Sequence, residues 1–165
     1  MREIVSPPPG CRRCPAVADG IREAAILNTV LPDAPDHPGV AHYLIHSLDY
    51  LEYAYLQLGQ DRNAAGVVSQ VAKVKETDVP QFAAAYAFAA VPVRYPLERR
   101  QWADAARLTV APGAFPWERY PYAEALTHFA RGLGAARSGS LPVAREALAR
   151  LEAIQIGRVR ARDDY

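Results

Sequence analysis

Residues 53–71 read YAYLQLGQDRNAAGVVSQV, and the fold turns on how this stretch is interpreted. It closes a longer run, VAHYLIHSLDYLEYAYLQLG (40–59), that contains no helix breaker before Gly59. Leu44, Leu48, Leu51, Tyr55 and Leu58 fall on one helical stripe, which is the pattern of a helix burying one face. After Gln60 and Asp61 the pattern resumes as RNAAGVVSQVAKVKE, with Ala64, Val68 and Val71 on one face and Asp61 in a capping position. A joint this short between two helices predicts an antiparallel helical hairpin.

The same grammar recurs downstream. A turn residue is followed five positions later by alanine, and four further on by a residue that fills space. The three sets are Gly59, Ala64, Val68; Arg100, Ala105, Thr109; and Gly139, Ala144, Leu148. A small alanine lets two antiparallel helices approach closely, while the larger residue fills the gap to the next hairpin. In the second unit QFAAAYAFAAVPVRYPLERR supplies the first helix and WADAARLTV, from Trp102, the second. Pro92 and Pro96 predict an irregular first helix there, since each removes an amide donor and crowds the preceding turn. The loop APGAFPWERYP (111–121) then leads to YAEALTHFARGLGAARSG, which ends at Gly139, and to a last helix LPVAREALARLEAI with Pro142 in its first turn. Trp102 and Trp117 read as anchors of the turn and the loop. Strand signals are absent, because alanine far outweighs β-branched residues and no Asn-Gly turn separates alternating runs.

Upstream, AVADGIREAAILNTVL, from Ala16, predicts one more helix ending at Pro32, and three prolines make LPDAPDHPG (31–39) a turn. Residues 1–14, with a Pro-Pro-Pro-Gly run and Cys11 and Cys14, show no apolar periodicity and read as a disordered lead-in. The expected organisation is a lead-in at 1–14, one helical domain at 15–156 and a flexible tail at 157–165.

The chain has 165 residues, enough for one domain with a core. Apolar residues make up 50% and charged ones 22%, so it should fold rather than stay solvated. Nineteen Lys and Arg face eighteen Asp and Glu, which leaves no field to draw in nucleic acid or an anionic membrane. The start MREIVSPPPG lacks the apolar run of a secretory signal, and no stretch is apolar for long enough to span a membrane. The expectation is a cytoplasmic protein. Two cysteines exclude a disulfide framework.

The turns lie 41 and 39 residues apart, somewhat beyond the roughly 34-residue period of tetratricopeptide repeats. Leu51 and Tyr55, eight and four residues before Gly59, match the Leu and Tyr slots of that repeat, and Gly132 matches its first-helix glycine. The middle unit departs, with Arg100 at the turn glycine and Pro92 and Pro96 on the Leu and Tyr slots. Beyond the generic pattern, DHPGVAHYLIHS (36–47), YAYLQLGQD (53–61), FAAAYAFAAVPVRYPLERRQWADAA (82–106) and FPWERYPYAEALTHFARGLGAARSG (115–139) resemble a group of bacterial tetratricopeptide-repeat proteins of unassigned biochemical role. The resemblance covers residues 26–153. In those relatives HPGVAHYLIH and YAYLQLGQ belong to different hairpins, so their abutment here implies an internally shortened member. The resemblance implies an all-α fold of tetratricopeptide-like antiparallel hairpins stacked as a short right-handed solenoid. It also implies a scaffolding or protein-binding role without a cofactor, and uncapped hairpin ends that would allow homo-oligomers.

In such stacks the first helices of successive hairpins line a concave surface that takes extended peptides. Counting from the turn residues carries the groove positions to His46, Asp49 and Tyr53 in the first hairpin, Arg94 in the second and Phe129 in the third. The aromatics would supply contact area, and Arg94 would pair with a partner's carboxylate. The alternative is a metal-binding protein or metalloenzyme centred on His37, His42 and His46, because His42 and His46 have the spacing of helical zinc ligands. Tyr43, where the zinc-protease pattern needs Glu, removes that hydrolytic route. Cys11-Arg-Arg-Cys14 has half of a zinc or redox spacing, without the second Cys pair or strand–helix context that would give it weight. No Gly-rich phosphate loop and no nucleophile with a His–Asp partner is present, so the chain does not read as an enzyme.

Overall fold

The computed structural model describes residues 40–77 and 79–162, and of residues 40–44 the backbone alone. The lead-in, the helix expected from Ala16, the proline turn, the Cys pair, His37 and the His42 side chain lie outside the described residues. Within them the chain is all-helical. Helix α1 spans Val40–Gln57, α2 Asp61–Val71, α3 Phe82–Glu98, α4 Trp102–Ala105, α5 Pro121–Arg137 and α6 Leu141–Ala161. A 3-10 turn at Trp117–Arg119 precedes α5.

The three turns read from the sequence share one geometry. Gly59 (φ 67°), Arg100 (φ 55°) and Gly139 (φ 85°) are all left-handed. At each, two amides turn back onto the last helical carbonyls. Gly59 and Gln60 donate to Leu56 and Tyr55, Arg100 and Gln101 to Leu97 and Pro96, and Gly139 and Ser140 to Ala136 and Ala135. This paired closure satisfies carbonyls that a helix end leaves open, and the next helix starts at once. Arg100 adopts the conformation without glycine's freedom, so the geometry of the middle turn is imposed by its surroundings.

Helix α3 is the centre, packed against α1, α2, α4 and α5. That position explains its composition: Ala84, Ala85, Ala87, Phe88, Ala89, Ala90, Val91 and Val93 are buried. A helix apolar on all sides belongs inside, and alanine keeps its neighbours close. Pro92 and Pro96, expected to make it irregular, both lie inside α3, which continues through them to Glu98. Packing on several sides holds a backbone that propensity alone would break. The Pro96 carbonyl recovers a donor from Gln101 N–H at 2.8 Å.

Two expectations are corrected at the helix boundaries. The second helix of the middle unit was read through Val110, but α4 ends at Ala105. Residues 106–120 instead turn their aromatics inwards. Phe115, Trp117 and Tyr120 are buried, with Phe115 ring centroids 5.4 Å from Phe88 and 5.0 Å from Trp117. Trp117 Nε1 donates to Pro112 O at 2.9 Å and Tyr120 Oη to Pro80 O at 2.7 Å. The loop therefore fills with side chains the volume that more helix was expected to fill. At the other end, residues 157–161 were assigned to a tail but belong to α6. Arg158 and Arg160 in the last turn favour that extension, because cations there offset the carbonyl end of the helix dipole.

Close approach between units rests on α5. A Cβ built on Gly134 would stand 2.6 Å from Ala105 Cβ, Ala106 N and Trp102 O, whereas one on Gly132 would stand 3.3 Å from Ala147 Cβ. Gly134 is thus pressed against the backbone of α4, and Gly132 faces α6. Gly134→Ala should lower stability in urea denaturation by about 1–3 kcal/mol, since backbone rather than a flexible side chain must yield. Gly66→Ala, at an exposed position in α2 with open space around it, should raise stability by about 0.5–1 kcal/mol.

Candidate functional site

Asp49, Glu52 and Tyr53 stand within one turn of α1, and Arg94 approaches them from α3. Tyr53 lies six residues before Gly59 and Arg94 six before Arg100, so the shared turn geometry sets the two at the same level of adjacent helices. Arg94 Nη2 donates to Asp49 Oδ1 at 2.7 Å, and Nη1 to Glu52 Oε2 at 2.5 Å and to the Asp49 carbonyl at 3.3 Å. The guanidinium carbon lies 5.6 Å from the centroid of the Tyr53 ring. One cation therefore serves two carboxylates and stacks on a ring.

Glu52 is fully buried, and among the described residues its Oε1 has no hydrogen-bond partner. Burial is the dominant influence and pushes its carboxyl up to about 7; Arg94 opposes this, while Asp49 and Glu98 add to it. For Arg94 burial alone would loosen the proton, but Asp49 and then Glu52 hold it, and the guanidinium stays charged.

The expected groove set thus divides. Asp49, Tyr53 and Arg94 come together, and His46 lies one turn before Tyr50, with ring centroids 5.0 Å apart. Phe129 stands on α5, half-exposed and outside the Arg94 cluster. Arg94 was expected to pair with a partner's carboxylate, and it is already engaged within the fold by Asp49 and Glu52. Among the described residues no three His, Cys, Asp or Glu side chains lie close enough to hold a metal ion. No described helix is long and apolar enough to cross a membrane.

Compared with protein-family models, curated proteins and solved structures, the chain matches none. The tetratricopeptide resemblance accordingly rests on the residues themselves.

Sequence reasoning missed Glu52, though a signal was present. Ile45, Leu48, Glu52 and Tyr55 follow one another at spacings of three and four, which puts a carboxylate on the apolar stripe of α1. An acid in that place requires a cation from a packed neighbour. A second polar cluster was also missed: His128 Nε2 lies 3.1 Å from Glu124 Oε1, which accepts from Arg150 Nη2 at 2.9 Å. It ties α5 to α6. On another side, Val68, Val71, Phe88, Pro92, Leu108 and Pro112 line a recess of about 230 Å³ beside the shortened α4.

Glu52 should make stability depend on pH. Its folded-state pKa of about 7 exceeds the ordinary 4.5, so the folded state binds the extra proton between those values. Stability is then greatest below about 4.5 and declines as pH rises through 7, by on the order of 1–3 kcal/mol. Glu52→Gln should flatten this slope in denaturation curves taken from pH 5 to 8; an unchanged slope would assign the titration elsewhere.

Arg94→Met strands both carboxylates and should cost about 3–5 kcal/mol at neutral pH. Adding Asp49→Asn and Glu52→Gln to that variant should recover part of the loss, measured by the same denaturation.

Proposed function

We propose that this chain is a protein-interaction module of the tetratricopeptide type, its hairpins stacked as a short right-handed solenoid, that binds an extended peptide segment across α1, α3 and α5. Packing supports the repeat reading: α3 contacts both α1 and α5, and α2 and α4 each contact the first helix of the next hairpin. Stacked hairpins of that family are arranged in this way.

The observation that carries the binding reading is the exposed aromatic surface on these first helices. Tyr50 and Tyr53 on α1, Phe82 and Tyr86 on α3, and Tyr122 and Phe129 on α5 are each more than a third exposed. On α3 the Phe82 and Tyr86 rings stand one turn apart, with centroids 6.0 Å from each other. Phe82 also meets the Tyr122 ring at 5.1 Å, which carries the aromatic surface from α3 to α5. Aromatics placed this way offer contact area at small entropic cost and are the common anchors of protein interfaces.

The charges narrow the partner. Arg94 is already paired within the fold with Asp49 and Glu52, so it offers little to a partner's carboxylate. Tyrosine faces attract ammonium and guanidinium groups. The segment that fits is extended, with apolar side chains and at least one Lys or Arg, rather than an acidic tail.

Panning a displayed library of random peptides on the folded chain tests this. Enriched peptides should carry basic and apolar residues, and Tyr86→Ala with Phe129→Ala should weaken them at least about tenfold with the helical circular-dichroism signal unchanged. Peptides indifferent to both substitutions would place binding elsewhere and sink the proposal.

A further inference from the structure

The outer face of α6 carries a second exposed apolar surface, remote in sequence from the aromatic one. Leu141, Leu148, Ile156 and Val159 are 59%, 54%, 51% and 71% exposed. They do not stand alone on that face. Taken with the exposed Arg145 and Glu152, the order Leu141, Arg145, Leu148, Glu152, Ile156, Val159 advances by four, three, four, four and three residues. That averages the period of a straight α-helix, so all six residues form one stripe along a helix of 21 residues. The inner face, by contrast, is occupied: Ala147 is buried and α6 packs on α5.

From Leu141 to Ile156 the stripe has an order that matches itself in reverse. If a second α6 lies antiparallel about a two-fold axis between residues 148 and 149, Leu141 meets Ile156 of the second copy and Arg145 meets Glu152. Leu148 faces Ala149 of the second copy and lies beside the axis, one residue's rise from its own counterpart. Two apolar pairs, two ion pairs and two leucines beside the axis all follow from this one register. The parallel arrangement would set Arg145 beside Arg145 and Glu152 beside Glu152. Other charged residues of α6 are engaged within the chain, Glu146 with Arg131 and Arg150 with Glu124. Among the described residues Arg145 and Glu152 have no ion pair, which leaves them for a partner.

We propose that the outer face of α6 pairs antiparallel with α6 of a second copy of this chain, as an isologous two-fold contact with Arg145 and Glu152 setting the register. The apolar residues supply the attraction and the charges select the orientation. This contact is independent of the peptide surface on α1, α3 and α5.

Sedimentation velocity of the full chain over a range of concentrations tests the proposal. The wild type should pass from monomer to dimer, and Leu148→Glu, which sets two like charges close together beside the axis, should stay monomeric with unchanged circular dichroism. Arg145→Glu and Glu152→Arg should each weaken self-association at least about tenfold, because each puts like charges together. Mixed in equal amounts, those two variants should associate with each other, since every facing pair is then complementary. Recovery in the mixture also shows that both are folded. A wild type that remains monomeric overturns the proposal, including the case in which residues 1–39 of the same chain shield α6 from hydrogen exchange. So does a dimer insensitive to Leu148→Glu, or a mixture no better associated than either variant alone.

Discussion

A single guanidinium, Arg94, reaches from the central helix to two carboxylates on α1, and the rest of the arrangement is built around that contact. Glu52 occupies a place on the apolar stripe of α1 where leucine would otherwise stand. Once folded into that position it needs a cation, and α3 offers one at the matching level. A buried ion pair of this kind adds little net stability over an apolar pair but penalises every misalignment that separates it. Sliding α1 by one turn along α3 would leave Glu52 in an apolar environment and Arg94 without its acids. The ion pair thus acts as a gauge of register between the first two hairpins.

Small residues govern the distances in the other direction. Ala64, Ala105, Ala123, Ala130 and Ala147 are almost wholly buried, and Gly134 touches backbone across the interface. These positions set how near the helices stand, and the larger side chains of the core occupy what is left. Where the second helix of the middle unit stops early, Phe115, Trp117 and Tyr120 take over that task. Spacing by alanine and filling by aromatics are two solutions to the same requirement for a close-packed interior.

Much of this was readable before any coordinates. Gly59, Arg100 and Gly139 were marked as equivalent turns, and all three take the same left-handed closure. Counting back from them set Tyr53 and Arg94 side by side, because equivalent turns put equivalent positions at one level. What counting could not reveal was that Arg94 faces inwards, since that depends on Glu52, a residue whose place on the apolar stripe was overlooked. The length of α4 was equally hidden: Ala105, Leu108 and Thr109 continue a helical spacing, and the burial of Phe115 and Trp117 competes with it. At α6 the reading stopped at Ile154 because the apolar residues beyond it face outwards, where periodicity no longer reports on a core.

The bond from Tyr120 Oη to the Pro80 carbonyl joins points forty residues apart, across the whole of the middle unit. Arrays whose units touch only their neighbours can lose those units one at a time. Here the segment entering α3 is tied to the segment entering α5, while the Phe115 ring rests on Phe88 within α3. The middle unit therefore cannot open without disturbing the unit that follows it. Tension applied along this chain would meet a transverse tie, and the stack should yield as one body where a string of independent hairpins would yield in steps.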